Sequence, residues 1–396
     1  MPQLLIRSGD KDGCGADLLF GRARCPVWTA SSRLIRVATM VREMRGFKLT
    51  PELEELRAAA ERLGRTQLAP DVRGHEAAGR WPATVVAVLD GFPLGGLDLP
   101  ESLGGVGAGL LAKVVVLEAL AAADAGGLAA ADRPGIATGA VVACPDRSLA
   151  VEVAAACLDG SAHCMFTVLD PDRRTSVLEW APGWPALRWV WAMEADTLRL
   201  LEVAGEPPQV RSLAFQASGG VGLRLTDAIQ LGRWELAPWT AFTVRARARL
   251  WTAAISIGVA GAALADTIAY TTERVVFGKP VAHHQGNAFD LAHAAGRLHG
   301  ARLAVRDAAA AMDGEETDAA FWTTQAWLET VEAAHLATNL GIQLLGGHGF
   351  IVDHLAEKRY REARMLAMLA GARDAAELDV AAFVLDVEDP LARRPA

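Results

Sequence analysis

Apolar residues first recur at helical spacing in Leu53, Leu56, Ala60 and Leu63, behind a clear start signal. Thr50 is suited to cap this helix, Pro51 to open it, and Glu52, Glu54 and Glu55 to complement its positive end. Gly64 is placed to close it. Ala-rich segments at 110–123 and 149–157 are apolar on several sides, as helices packed inside a bundle are. A turn-rich connector, residues 95–103 followed by Gly104-Gly105, precedes the first of them. From His163 to about Leu236 the pattern shortens. Residues 164–169, 187–191, 197–203 and 222–225 are strand-like and separated by Pro, Gly and Asp. Five of the eleven tryptophans fall in this stretch, in keeping with aromatic enrichment in strands. Helical spacing returns from Trp239. Leu250, Ala254, Ile257, Gly261, Leu264 and Ile268 alternate four- and three-residue steps, the seam of one long helix. Residues 289–312, 318–340 and 356–369 predict three more, an up-and-down bundle.

The expected class is α+β, mostly α. It comprises an extension over 1–46, an N-terminal helical domain over 47–162 and a short middle β domain over 163–238. A C-terminal four-helix bundle over 239–385 and a tail over 386–396 complete it. The extension carries eight Lys or Arg against four acids and no sustained period, and reads as a disordered tail or an upstream start, with Met40 and Met44 just before the first helix. It lacks a secretory apolar core. The 396 residues, 52% hydrophobic, suffice for a large core without disulfides. A net charge of -8 argues against nucleic-acid partners, which call for clustered Lys and Arg. Cys14, Cys25, Cys144, Cys157 and Cys164 show no CxxC spacing and read as free thiols of a cytoplasmic protein. No uninterrupted apolar run is long enough for a membrane span; the nearest, 252–265, ends at Asp266.

Order alone does not fix function; local motifs narrow it. Glu273-Arg274-Val275-Val276-Phe277-Gly278-Lys279-Pro280, followed by Gln285, resembles the R-x-x-F-G-K-P…Q element of acyl-CoA dehydrogenases. Gln343-Leu344-Leu345-Gly346-Gly347-His348-Gly349-Phe350 resembles their Q-x-x-G-G-x-G-F/Y, and Arg361-Glu362-Ala363-Arg364 their R-D-A-R/K. Upstream, Gly96 to Gly105 is similar to G-L-x-x-P-E-x-x-G-G, and Leu117-Glu118-Ala119-Leu120-Ala121 with Asp124-Ala125 to L-E-E-L-A…D-A. Each is weak alone; in family order over about 47–380 they identify the chain as resembling that flavoprotein family. The resemblance implies FAD, with Arg274, Phe277, Gln285, Gln343, Gly346 and Gly347 as a half-site for its ADP end, acting across a subunit interface. A guanidinium suits pyrophosphate because its fork donates twice. Glycines let the main chain approach the cofactor. Trp189, in Arg188-Trp189-Val190-Trp191, is similar to the flavin-stacking position of K-x-W/F-I-T/S. His283, His284 and His348 do not form a metal set, for no thiolate or carboxylate cluster accompanies them.

The resemblance fails where proton abstraction is performed. The family's base is the Glu of Y-E-G-T; here Met368-Leu369-Ala370-Gly371-Ala372 puts Ala370 in its place. The alternative Glu, directly before an arginine on the first bundle helix, is Ala248 before Arg249. Losing a general base costs about 10²–10⁴-fold. Asp374 and Glu377 are the nearby acids. The L-T-E-P…G-S-D loop appears as residues 168–176 without its Thr and Gly, and bulky Trp191 replaces a small hydroxyl residue. The resemblance therefore implies the degenerate subunit of a heteromeric enzyme of actinobacterial type that desaturates acyl-CoA thioesters in lipid or steroid catabolism. Implied partners are an acyl-CoA thioester, a second family subunit in a heterotetramer and, as candidate electron acceptor, an electron-transfer flavoprotein. A self-sufficient dehydrogenase with another base, and a flavin monooxygenase or flavin-free interaction protein on this scaffold, remain the alternatives.

Overall fold

A computed structural model describes residues 48–169, 177–210 and 212–385. The expected extension 1–46, the tail 386–396 and most of the 168–176 loop lie outside the described residues. Helices α1 (Pro51–Leu63), α2 (Val72–Ala78), α3 (Ala83–Asp90), α4 (Leu110–Ala131), α5 (Thr138–Ala143) and α6 (Arg147–Leu158) come first. Strands β1 (His163–Leu169), β2 (Val177–Ala181), β3 (Leu187–Glu194), β4 (Thr197–Glu202), β5 (Val221–Arg224) and β6 (Ile229–Glu235) follow. Then come α7 (Pro238–Glu273), the hairpin β7–β8 (Val275–Val276, Lys279–Pro280), α8 (Gln285–Asp313), α9 (Ala319–Leu345), α10 (Ala356–Leu366) and α11 (Ala372–Leu385). The order is helices, sheet, helices, as the pattern predicts.

The Thr50 side chain accepts from Leu53 N–H, so the start of α1 is as read. Its end is not. Gly64 is right-handed, and the chain continues as a wider helical turn to Leu68. A Cβ on Gly64 would sit 3.3 Å from that of Ala123, so glycine there serves the approach of α4. β1, β3, β4 and β6 form one sheet, with β1 and β3 parallel and the other pairs antiparallel; β2 and β5 form a separate antiparallel pair. β2 and β6 escaped the sequence reading, since β6 is mostly exposed and shows no apolar alternation. The segment expected as one helix over 356–369 ends at Leu366, and α11 starts afresh after a left-handed turn.

The core lies where α7 crosses α4 and α9. Gly258 on α7 permits the first contact, because a Cβ there would lie 2.3 Å from the Glu118 carbonyl. Glu118 on α4 holds α8 through Arg302 at 2.6 Å and Arg306 at 3.1 Å. The predicted seam of α7 is buried at Leu250, Ala254, Ile257 and Leu264, and ends before Ile268, which is 40% exposed. α4 and α7 are each long and apolar enough to cross a membrane by length and composition, which an uninterrupted-run count misses. Most of that apolar surface is buried within the fold.

Residue 124 breaks the α4 geometry with φ -154°. The Asp124 carboxylate accepts from Trp81 Nε1 at 2.6 Å and Lys358 Nζ at 3.0 Å, and lies 3.3 Å from His75 Nδ1. Lys358 also pairs with Glu362. These buried groups join α2, α4 and α10, so the kink is held by charge rather than by helix propensity. Burial pushes the Asp124 carboxyl up, but Lys358 and the hydrogen bonds outweigh it and hold it at about 2.

Candidate functional site

The ends of α7 and α9 meet where Thr267 Oγ1 would lie 3.0 Å from a Cβ on Gly341. One turn on, the Tyr270 hydroxyl is 2.9 Å from His348 Nδ1. Arg274 ends α7, its N–H donating to the Tyr270 carbonyl at 2.9 Å. Phe277 and Gly278 form the turn between β7 and β8, with φ of 50° and 81°. Two positive φ values make the turn that suits hairpin twist, yet a phenylalanine pays steric strain in the first. That side chain is 94% exposed, with the edge-on His284 ring, centroids 6.5 Å apart, beside it. His284 Nε2, 3.0 Å from the Val276 carbonyl, ties the hairpin to the start of α8, where Gln285 is the first residue.

At the end of α9, Gly346 takes φ 58° and ψ -130°, and neither Gly346 nor Gly347 has a neighbour within 4 Å of where a Cβ would stand. Arg274, Phe277, Gln285, Gln343, Gly346 and Gly347 are all exposed, and the elements carrying them converge on one end of the bundle. An exposed guanidinium, an open ring and bare main chain fit the pyrophosphate and adenosine end of a dinucleotide. The sequence reading missed two supports. Arg73 of α2 donates to the Val352 carbonyl at 2.9 Å and the His354 carbonyl at 2.8 Å, strapping the loop after Gly347. Tyr270, His348 and His354 form a ring cluster with centroids 5.3 to 5.9 Å apart. No local pattern marks either, since Arg73 acts across 279 residues.

The ring end of the cofactor is served differently. Trp189 is 1% exposed, with the Arg188 guanidinium 4.3 Å from its ring centroid. It packs as core and offers no open face, so the flavin-stacking expectation is corrected. Trp191 is fully buried against Trp234, centroids 6.3 Å apart. Both base positions are buried alanines, Ala370 at 3% and Ala248 at 1% exposure. Ala370, Gly371 and Ala372 form a left-handed run with φ of 55°, 90° and 55°. Two alanines in that region cost about 1–2 kcal/mol each. Asp374 and Glu377 are exposed, and Glu377 accepts from Arg373 at 2.6 Å, so neither faces this interior. Among the described residues, those expected at the ADP end are open and could hold such a group, whereas those expected at the ring end are buried.

Residues 241–385 match the model of the acyl-CoA dehydrogenase C-terminal domain, and residues 50–144 that of its N-terminal domain. Probable acyl-CoA dehydrogenase FadE25 of Mycobacterium tuberculosis is 24% identical over 362 residues, covering 82% of this chain and 93% of that protein. The caffeyl-CoA reductase-Etf complex subunit CarC of Acetobacterium woodii is 32% identical over 140 residues, only 35% of this chain and 36% of CarC. Butyryl-CoA dehydrogenase from Megasphaera elsdenii has the same fold, with a TM-score of 0.73 at 19% identity over 86% of this chain and 99% of that one. Motifs, helical and sheet order and both domain models agree: the chain belongs to the acyl-CoA dehydrogenase family, whose members are FAD-binding flavoproteins.

Proposed function

We propose that this chain is the non-catalytic, half-site subunit of a heteromeric FAD-dependent acyl-CoA dehydrogenase. The observation that carries the reading is the contrast between the two ends of the cofactor. The residues that resemble the family's ADP-end set are all exposed, whereas the two positions that resemble its base positions are buried alanines. A methyl group accepts no proton, so a second family chain must supply the glutamate and the flavin-ring pocket. In this reading Arg274 neutralises pyrophosphate charge and Gly346 and Gly347 admit the cofactor to the main chain. FAD supplies the hydride acceptor when bound. The thioester substrate enters the partner, and an electron-transfer flavoprotein takes the electrons; CarC, named as a subunit of an Etf complex, supports such a partner. Buried free thiols at Cys144, Cys157 and Cys164 support a cytoplasmic setting.

Purification of the chain alone tests this directly. It is expected to carry no stoichiometric flavin and to leave acyl-CoA thioesters unoxidised. Turnover above about 1 s⁻¹ by the unaccompanied chain, the low end of ordinary enzyme rates, would overturn the reading.

A further inference from the structure

Trp251 follows Ala248 by three residues on α7, so the two side chains leave the same face of the helix. Both are buried, at 6% and 1% exposure. With Ala129, Ile136, Met165 and Leu369 the indole lines a seam that leaves no room for a water molecule. Leu369, the chain neighbour of Ala370, lines the same seam, so the indole packs beside the segment that carries one base position and one helical turn from the other. On its other side, a space bounded by Val114, Leu117 and Lys113 amounts to about 10 Å³, the lower limit for a single water.

The indole is fixed. Its Nε1 donates to Asp132 Oδ2 at 2.8 Å, and Asp132 Oδ1 accepts from Lys113 Nζ at 2.6 Å. Lys113 donates also to the Leu94 carbonyl at 2.6 Å, so the charge pair is itself anchored. Asp132 is fully buried and Lys113 is 3% exposed. Gly135 completes the seat: with φ 25°, its absent Cβ would stand 3.3 Å from the indole nitrogen. A side chain held by a buried ion pair and a shaped turn is a filling rather than a lid.

We propose that the Trp251 indole is a built-in plug occupying the volume that an acyl chain would take, so that this chain binds no acyl group in its own body. The inference rests on the half-site reading above and names the residue that closes the chamber. Removing the indole should leave a cavity that is apolar on its Ala129, Ile136, Met165 and Leu369 side, in which the freed Asp132 carboxylate can accept from the N–H of a flat guest such as indole.

The full-length chain and its Trp251→Gly and Trp251→Leu variants are titrated with indole and followed by thermal melting, and the parent chain is titrated with hexanoyl-CoA. The parent is expected to bind neither. Saturating indole is expected to raise the Trp251→Gly melting midpoint by several degrees; should that variant not fold, Trp251→Leu, which keeps an apolar side chain, carries the same expectation more weakly. Saturable hexanoyl-CoA binding by the parent overturns the plug, as does indifference to indole in the variants that retain helical circular dichroism. Neither readout involves flavin or a partner subunit, so the plug and the half-site reading fail separately.

Discussion

Arg274 and Ala370 carry opposite halves of the functional reading. Arg274 is exposed in the chain alone; under the half-site reading cofactor and partner would cover and desolvate it, and truncating such a charge costs about 2–5 kcal/mol. Arg274→Ala is therefore expected to lower flavin occupancy of the purified assembly, read from the ratio of flavin to protein absorbance. Unchanged occupancy would remove the arginine from the site. Ala370 poses the converse test. A glutamate restored there replaces a methyl group that is 3% exposed, so its carboxyl would be buried in a packed interior. Ala370→Glu is accordingly expected to lower stability by at least about 2 kcal/mol and to create no dehydrogenase activity in the isolated chain. A urea midpoint equal to the parent's would show that the chamber is roomier than its packing implies. The bare replacement of Glu by Ala was legible in the sequence. The burial of the position, at 3% exposure, was not, because it depends on the packing of elements far apart in the chain.

Helix α4 and strand β1 show how burial sets pH dependence at the level of elements. The His163 ring on β1 is 2% exposed and meets the Ala129 carbonyl of α4 at 3.2 Å. Burial pulls its pKa down to about 4 from 6.5. The unfolded chain therefore takes up a proton near pH 6.5 that the folded chain refuses until about pH 4. Stability present above pH 6.5 is lost as pH falls through that window, by about 3 kcal/mol. Between pH 7.5 and 5 about 2 kcal/mol of this should already be lost, read from denaturant midpoints, and His163→Gln should flatten the difference. Asp124 acts lower: with its carboxyl held down to about 2, the stability it contributes above pH 3.8 is lost only as pH falls toward 2. Lys358→Met would strand Asp124 and Glu362 in the interior, and is expected to cost about 3–5 kcal/mol. A loss below about 1 kcal/mol would mean that the kink in α4 does not depend on the charge cluster.

For the molecule as a whole, the half-site reading places the partner against the outward end of the bundle. Phe277, Phe289, Phe350 and Val352 are 94%, 65%, 73% and 66% exposed on or beside the hairpin, α8 and the loop after α9. Large apolar side chains grouped in this way mark an interaction surface. The assembly expected from the half-site reading is a heterotetramer, half of it this chain, with about one FAD per unlike pair. Cofactor and partner would then stabilise the chain by mass action, and the chain alone should melt earlier than the complex. Light scattering with flavin counting on the co-purified complex checks this. A homotetramer holding one FAD per chain would return the protein to the self-sufficient enzymes.

Local pattern and motif were enough for the order of helices and strands, the Thr50 cap, the family, and the substitution of both base positions. Each of those depends on neighbours in sequence: periodicity, capping and contiguous motifs are short-range physics. The distant supports were hidden. Arg73 bracing a loop beyond residue 350, Asp124 breaking its own helix to face Lys358, and Gly64 serving α4 instead of ending α1 all join residues far apart in the chain. So were the fates of two tryptophans. Trp189 resembled a flavin-stacking position and proved to be buried, while Trp251, which no motif singled out, packs in the interior beside Leu369. An indole's burial is decided by what packs over it, and that is settled only when helix, sheet and turn come together.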